Sequence, residues 1–394
     1  MVQISRWKAL VFIYIYMLVF AIVFQGIPPV FGFIVSHFGI SHAQAGALMS
    51  LFGLPGIFIS IPGGILADVY GAKRVGIASL IIALTGSLMV ASGNNFAILL
   101  IGRIISGIGA LIIAIVAPQM ISQRFEKKDI GIAMGIYNTA MPLGTIITLN
   151  TFGIIAAGSS WRVPIFLTSV YCFFVLILFI FKYPSLPEEV KSKKGRRLDI
   201  KKSLSAVKGV GWPVWLVAAI WMMYNASTIS YLSFGSDYYM SVGYDANYAG
   251  FLTSLLMIGA LIFSTIVGYL TDKFDREEFF IIIGSIILAF AFFLIPRAGI
   301  SPLLLGIIIG ISAPFIPSPI FSLVPNILSP DQMGLGYGIL STCLNIGVLI
   351  GPSLIGLSYD KTLNYLLGFN LMVVMLLIAI LFAIVFRILS KLKK

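Results

Sequence analysis

The sequence predicts an all-α polytopic membrane protein, with twelve transmembrane helices arranged as two pseudo-symmetric six-helix bundles. Three observations predict it. First, apolar residues (Ala, Val, Ile, Leu, Met, Phe, Trp, Tyr, Cys) make up 59% of 394 positions, and only 10% are charged. A soluble domain carries about 45–50% apolar and about a quarter charged residues, so most of this surface is built to face lipid. Second, the chain contains a series of apolar runs, each near the roughly 20 residues that cross a hydrocarbon core as helix. Third, the pattern Gly-x-Leu-x-Asp occurs at Gly64–Asp68 and again, 204 residues later, at Gly268–Asp272.

Taken in order, the runs are 9–36, 43–66, 75–92, 96–121, 130–157 and 162–182, then 212–235, 248–271, 279–296, 300–325, 333–358 and 364–388. Twelve spans put both termini on one side. The first run follows basic residues as a signal peptide would, but it is long and no small-residue cleavage site follows cleanly, so it is expected to stay as an anchor. Orientation comes from Lys and Arg in the short loops. With a cytoplasmic N-terminus, 22 of the 26 basic residues fall on that side. Arg162, Arg297 and Lys361 fall on the other, and Arg103 lies within a span. The expected location is therefore the cytoplasmic membrane, multi-pass, with both termini inside. The same placement explains the net charge of +12 without nucleic acid as a partner.

Three regions follow: an N-terminal bundle at 1–182, a basic cytoplasmic linker at 183–211 and a C-terminal bundle at 212–394. The linker, YPSLPEEVKSKKGRRLDIKKSLSAVKGVG, reads as a solvated connection biased toward the anionic membrane surface. A second echo, GIYNTAMPLG at 135–144 and GILSTCLNIG at 338–347, lies 203 residues apart. Two matches at nearly one offset imply a duplicated six-helix unit.

The motifs resemble those of the major facilitator superfamily over essentially the whole chain. Gly64, Leu66, Ala67, Asp68, Gly71, Lys73 and Arg74 resemble its loop motif between spans two and three. Leu100, Arg103, Gly107, Gly109 and Ala110 resemble its fourth-span motif, and Trp161-Arg162 with Phe166 resembles the start of its sixth span. The fifth-span motif of its drug–proton antiporters survives only as Met141-Pro142-Leu143-Gly144, which counts against that activity. The resemblance implies a secondary transporter working by rocker-switch alternating access. It also implies a conformational latch of Gly64, Asp68, Gly71, Lys73 and Arg74, repeated as Gly268, Asp272, Lys273 and Arg276. Physically, glycines without side chains let a neighbouring helix approach. Acids at helix ends can accept from Lys or Arg in one conformation and lose them in the other.

The resemblance places the transport path along spans one, four, seven and ten, supported by two, five, eight and eleven, so polar residues there are the cavity candidates. The seventh span carries Trp221, Tyr224, Thr228 and Tyr231 on one helical face, with Asn225 beside them. Tyr14 and Gln25 come from the first span, Asn138 and Thr145 from the fifth, Thr342 and Asn345 from the eleventh. Each could equally serve helix–helix hydrogen bonding. Arg103 is the one charge placed within a span, where a charge costs at least about 2.5–3.5 kcal/mol. It either binds an anionic solute or coupling group, or hydrogen-bonds backbone carbonyls and ties the first half together.

Chemistry of other kinds is not expected. Cys172 and Cys343 lie in apolar runs and His37 and His42 flank a short loop, so no metal, disulfide or catalytic group is predicted, and no cofactor. No Gly-Lys-Ser/Thr phosphate loop suggests an ATP-driven pump. The expected partners are a small-molecule solute (an organic or small inorganic anion as the first guess), protons or a counter-ion, and the bilayer, with the chain a monomer. Two alternatives stand beside this: a facilitative or proton-coupled carrier of a neutral or cationic solute, and a polytopic enzyme acting on lipid. No acid is expected inside the bundle. Gly102, Ser106 and Gly109, and again Gly306 and Gly310, are read as packing stripes, and Pro314, Pro317, Pro319 and Pro325 as a break in the tenth span.

Overall fold

The computed structural model describes residues 5–125, 129–183, 211–274, 276–297, 299–328 and 333–391. The predicted linker thus lies outside the described residues except at its two ends. The described residues form helices and no strands. In the first half these are α1 (Arg6–Gln25), α2 (Phe31–Phe38), α3 (His42–Tyr70), α4 (Ala72–Ser92), α5 (Phe96–Ser122), α6 (Ile130–Asn138), α7 (Ala140–Gly158) and α8 (Arg162–Phe181). In the second they are α9 (Trp212–Ser241), α10 (Ala246–Phe274), α11 (Glu277–Leu294), α12 (Pro302–Ser312), α13 (Pro317–Ile327), α14 (Met333–Thr362) and α15 (Leu366–Lys391). Among the described residues, eleven helical stretches are long and apolar enough to cross a membrane, and the 30-residue α9 supplies a twelfth of sufficient length.

Proline decides where the segments break. An N–H four residues ahead normally closes each helical carbonyl, and proline has none to give. The first span therefore stops at Gln25, passes through a 3₁₀ turn at Pro28–Val30 and resumes as α2. Within the predicted run 130–157, helix is interrupted at Thr139, three residues before Pro142. There the Thr139 amide turns back to Ile136 O at 3.1 Å. The tenth span divides into α12, a 3₁₀ turn at Ala313–Phe315 and α13. Starts are set by small polar caps: Asn95 Oδ1 accepts the Ile98 amide at 3.0 Å. Asp245 Oδ1 accepts the Asn247 and Tyr248 amides, both at 3.0 Å. Gly71 and Gly243 turn the chain at φ +88° and +99°, a region open to glycine.

Two compact units result. The first comprises Met1–Val30 and Leu51–Ile200, the second Phe31–Ser50 and Lys201–Lys394. In the first, α4 and α5 meet backbone to backbone: a Cβ on Gly86 would collide with the Ser106 backbone, and one on Gly109 with the Ala83 backbone. In the second, Gly259 of α10 meets Gly310 of α12, and a Cβ on Gly306 would run into Leu255. Both predicted small-residue stripes thus pack helices. The outward faces carry exposed Phe166, Phe173 and Phe174 on α8 and Leu377, Leu381 and Ile388 on α15, as a lipid-facing surface requires.

Residues 31–50 complete the second unit. Phe31 lies 4.9 Å from the Phe234 ring, Ser353 Oγ bonds Ser50 Oγ at 2.8 Å, and Gly46 lets α3 approach the Pro352 carbonyl. Surrounded by these neighbours, α9 is buried at every position from Tyr224 to Ser236. Its hydroxyls answer carbonyls: Thr228, Ser230 and Ser233 each donate one turn back, and Ser227 donates to Met372 O. The helix also runs to Ser241, six residues beyond the predicted end of the span, so Asp237 sits within helix rather than in a loop.

Candidate functional site

Arg103 is buried to 2% exposure in α5. Its guanidinium donates to Val23 O at 2.7 Å and Phe24 O at 3.2 Å, and stands 4.6 Å from the Phe52 ring. The reason lies in the sequence of α1. The amide that would close the Phe24 carbonyl belongs to Pro28, so the helix ends with an orphaned acceptor beside its negative pole. A rigid fork of donors matches two consecutive carbonyls, and the ring face accepts the cation's remaining surface. The adjoining cavity, lined by Ser87, Ser106 and Thr168 among others, is about 10 Å³. That is room for a single water, not for a solute. Of the two readings open for Arg103, the geometry supports the tie within the first unit.

The other first-unit candidates separate into satisfied and unsatisfied groups. Tyr14 Oη is 3.0 Å from Thr139 Oγ1, at the break between α6 and α7. Thr145 donates to Met141 O at 2.9 Å within its own helix, and Asn138 is exposed at the end of α6. Gln25 differs. It is fully buried, and neither its amide nitrogen nor its amide oxygen has a partner among the described residues. A buried amide left so costs about 1–3 kcal/mol.

In the second unit, Trp221 stacks on Tyr224 at 5.5 Å between centroids, and Tyr224 donates to Ala313 O at 3.1 Å. Again a proline explains the bond, since the amide four residues beyond Ala313 belongs to Pro317. Asn225, Thr228 and Asn345 bond carbonyls one turn back, at 2.8, 2.9 and 2.8 Å. Tyr231 is fully buried, 3.4 Å from Tyr239 Oη, and Thr342 is half-buried. The predicted α9 face is therefore closed over in this conformation. The structure brings forward a different space: a cavity of about 400 Å³ lined by Tyr238, Tyr239, Tyr244, Ile300, Ser301 and Leu305. None of the sequence-derived candidates lines it, because its walls come from two loop ends whose pairing has no periodic signature.

At the helix ends that carry the repeated loop motif, Lys73 donates to the carbonyls of Ile180 and Tyr183, where α8 stops. Arg124 donates to Tyr183 Oη at 3.0 Å, and Arg6 pairs with Asp129 at 2.8 Å. Gly71 makes the turn into α4, and Arg74 is exposed. In the second copy, Lys273 lies 6.0 Å from the Tyr269 ring and Arg276 is exposed before α11. The side chains of Asp68 and Asp272, and the surroundings of Gly64, lie outside the described set. Among the described residues no neighbour stands within 4 Å of a Cβ built on Gly268, so the close approach expected there is not found.

No group of three or more His, Cys, Asp or Glu positioned to hold a metal occurs among the described residues.

The sequence matches known proteins. The family profile described as Major Facilitator Superfamily matches residues 13–246 and 236–394. The chain is 26% identical over 343 residues to the uncharacterized MFS-type transporter MJ1560 of Methanocaldococcus jannaschii, covering 85% of this chain and 86% of that one. It is 20% identical to the lysosomal dipeptide transporter MFSD1 of Danio rerio, covering 80% and 72%. It is 26% identical to the quinolone resistance protein NorA of Staphylococcus aureus, covering 84% and 85%. Matched along both halves, and built of the long apolar helices and repeated loop motif its sequence predicts, the chain belongs to the major facilitator superfamily.

Proposed function

We propose that the chain is a secondary transporter that carries a small organic solute across the cytoplasmic membrane by alternating access. Family membership supports transport, and its named relatives are transporters or a drug-resistance protein. The observation that carries the solute class is Gln25. Its amide is fully buried, with neither its nitrogen nor its oxygen partnered among the described residues, and a solute bound in another state of the cycle would account for such a group. Arg103 is engaged by the carbonyls of α1, so a polar solute read by an amide fits better than an anion read by a guanidinium. Organic and small inorganic anions are tested first because the sequence suggested them. The loop residues Asp68, Lys73 and Arg74 act in this proposal as the conformational latch, with Lys73 holding the end of α8.

The test is thermal stabilisation of the detergent-purified protein by a library of organic and small inorganic anions, cations and neutral amides, since a ligand that binds the folded state raises its stability by mass action. Gln25→Met and Arg103→Lys are run alongside. The proposal expects a stabilising solute whose effect disappears in Gln25→Met and persists in Arg103→Lys. A response confined to anions and lost only in the Arg103 variant would return the site to Arg103. No response from any solute in native protein, together with no solute flux in proteoliposomes, would count against transport itself.

A further inference from the structure

Two acids that the sequence placed outside the bundle meet one of the two histidines inside the second unit. His42 opens α3, and its ring is held on three sides. Its Nε2 lies 3.3 Å from Asp237 Oδ2 of α9, and its Nδ1 lies 3.8 Å from Asp360 Oδ1 of α14. Tyr359 tilts across the imidazole face at 3.8 Å between centroids. Tyr365, at the start of α15, donates its hydroxyl to the same Asp237 oxygen. Asp360 also caps α3 from a distant helix, taking the His42 amide at 2.8 Å and the Ala43 amide at 2.9 Å. The cluster is shielded but reachable: the side chains of His42, Asp237 and Asp360 are 17%, 13% and 26% exposed.

The titratable groups facing His42 are thus Asp237 from α9, Asp360 and Tyr359 from α14, and Tyr365 from α15. His37 lies against Phe38 at 4.7 Å, and Lys361 is exposed. Burial first, and then Asp237 beside it, pushes the Tyr365 phenol well above its ordinary range, so it stays a donor throughout. Among the described residues His42 is the imidazole that touches these carboxylates, and protonation changes its donor count. A neutral imidazole has one N–H and can serve one carboxylate; an imidazolium has two and can serve both.

We propose that His42, Asp237, Asp360 and Tyr365 form a proton-binding site, and that loading it fastens residues 31–50 to the second unit. With the proton bound, His42 donates to Asp237 and draws Asp360 at once, while Asp360 keeps its hold on the first two amides of α3. With the proton gone, one carboxylate loses its partner, and the start of α3 is held by the cap and the one remaining imidazole hydrogen bond. Residues 31–50 belong to the second unit and Leu51 onward to the first, so the site controls the helix through which the chain passes from one unit into the other. The inference rests on the transport reading only for its purpose, which would be to couple a proton to the transport cycle; the site itself stands on geometry.

The experiment uses the full-length protein in detergent and needs no solute. Imidazole NMR of the ¹³C-histidine-labelled His37→Gln protein reads the titration of His42 directly, without altering the cluster. Hydrogen–deuterium exchange over residues 31–50, with rates corrected for the intrinsic effect of pH, reads the fastening. Protection of 31–50 is expected to rise about three- to tenfold from pH 8 to pH 5.5, with the midpoint shown by the His42 ring resonances. That rise should vanish in His42→Gln and in Asp237→Asn. Protection that ignores pH, a midpoint that differs from that of the His42 ring resonances, or an unchanged pH response in His42→Gln would each overturn the proposal. A protein that passes these tests while carrying no solute would keep the proton site and lose the transport reading.

Discussion

Removing the Arg103 guanidinium should destabilise the first unit, and the size follows from its contacts. Two hydrogen bonds from an ionised donor, to Val23 O at 2.7 Å and Phe24 O at 3.2 Å, contribute about 1.5–3 kcal/mol each. The Phe52 ring at 4.6 Å contributes up to about 2 kcal/mol more in a desolvated setting. Against these, deleting a buried charge returns a desolvation penalty of several kcal/mol. The expected net loss for Arg103→Ala is about 2–4 kcal/mol, or more than an order of magnitude in the unfolding equilibrium. Arg103→Met refills the volume and should recover the cavity part, leaving the orphaned carbonyls as the remainder. Arg103→Lys keeps the charge but not the fork, so it should lose about 1–2 kcal/mol as one carbonyl goes unserved. Reversible denaturation in mixed micelles, followed by tryptophan fluorescence, gives the three values. If Arg103→Met matches the native protein within about 0.5 kcal/mol, the carbonyl tie contributes nothing and the charge is held for something other than α1.

Further outcomes follow from the same geometry. Gln25→Met should leave the resting protein as stable or about 1–2 kcal/mol more stable, because it removes an unserved buried amide; the same denaturation assay reads it, and a loss above about 1 kcal/mol would mean the amide is bonded. Tyr224→Phe should cost about 1–2 kcal/mol by leaving the Ala313 carbonyl unserved, again by denaturation. Gly259→Ala should abolish folded protein, since its Cβ would meet the Gly310 backbone, whereas Gly268→Ala should be tolerated or gain about 0.5–1 kcal/mol in helix propensity; size-exclusion profiles of the two separate these results. Asp68→Asn should cut proteoliposome flux without reducing the yield of folded protein, and unchanged flux would remove Asp68 from the latch.

Much of the fold was legible because the bilayer imposes a length and a composition that survive in a single sequence. All twelve predicted segments are helical, and the glycine stripes at Gly102–Gly109 and Gly306–Gly310 pack as expected. The candidate site was less legible. Periodicity put Tyr224, Thr228 and Tyr231 on one face of α9, but it could not show that the face is covered on all sides here. Nor could it give the end of α9. The run from Ser236 to Ser241 is polar enough to read as a loop, and it is helical because Tyr238 and Tyr239 pack on Phe369 and Tyr231. Asp237 thereby enters helix and finds His42, a partner 195 residues earlier in the chain. Such a pairing leaves no local trace, since it depends on which unit residues 31–50 join.

Proline links the parts that were legible to those that were not. Several carbonyls whose amide partner four residues ahead would be a proline receive a side chain from another helix instead. Arg103 serves Phe24 before Pro28, Tyr224 serves Ala313 before Pro317, and Tyr137 reaches Ala114 before Pro118 at 3.5 Å. In hydrocarbon no water can take the orphaned acceptor, so each break calls for a donor from a neighbour. Read from sequence alone, those donors look like solute ligands, because both roles ask for polar groups in apolar surroundings. The distinction lies in the partner: a donor whose acceptor is an orphaned carbonyl is already employed. Applied to the cavity candidates, that criterion withdraws Arg103 and Tyr224 from solute recognition, while Gln25, whose amide meets no carbonyl among the described residues, keeps bonding capacity to spare.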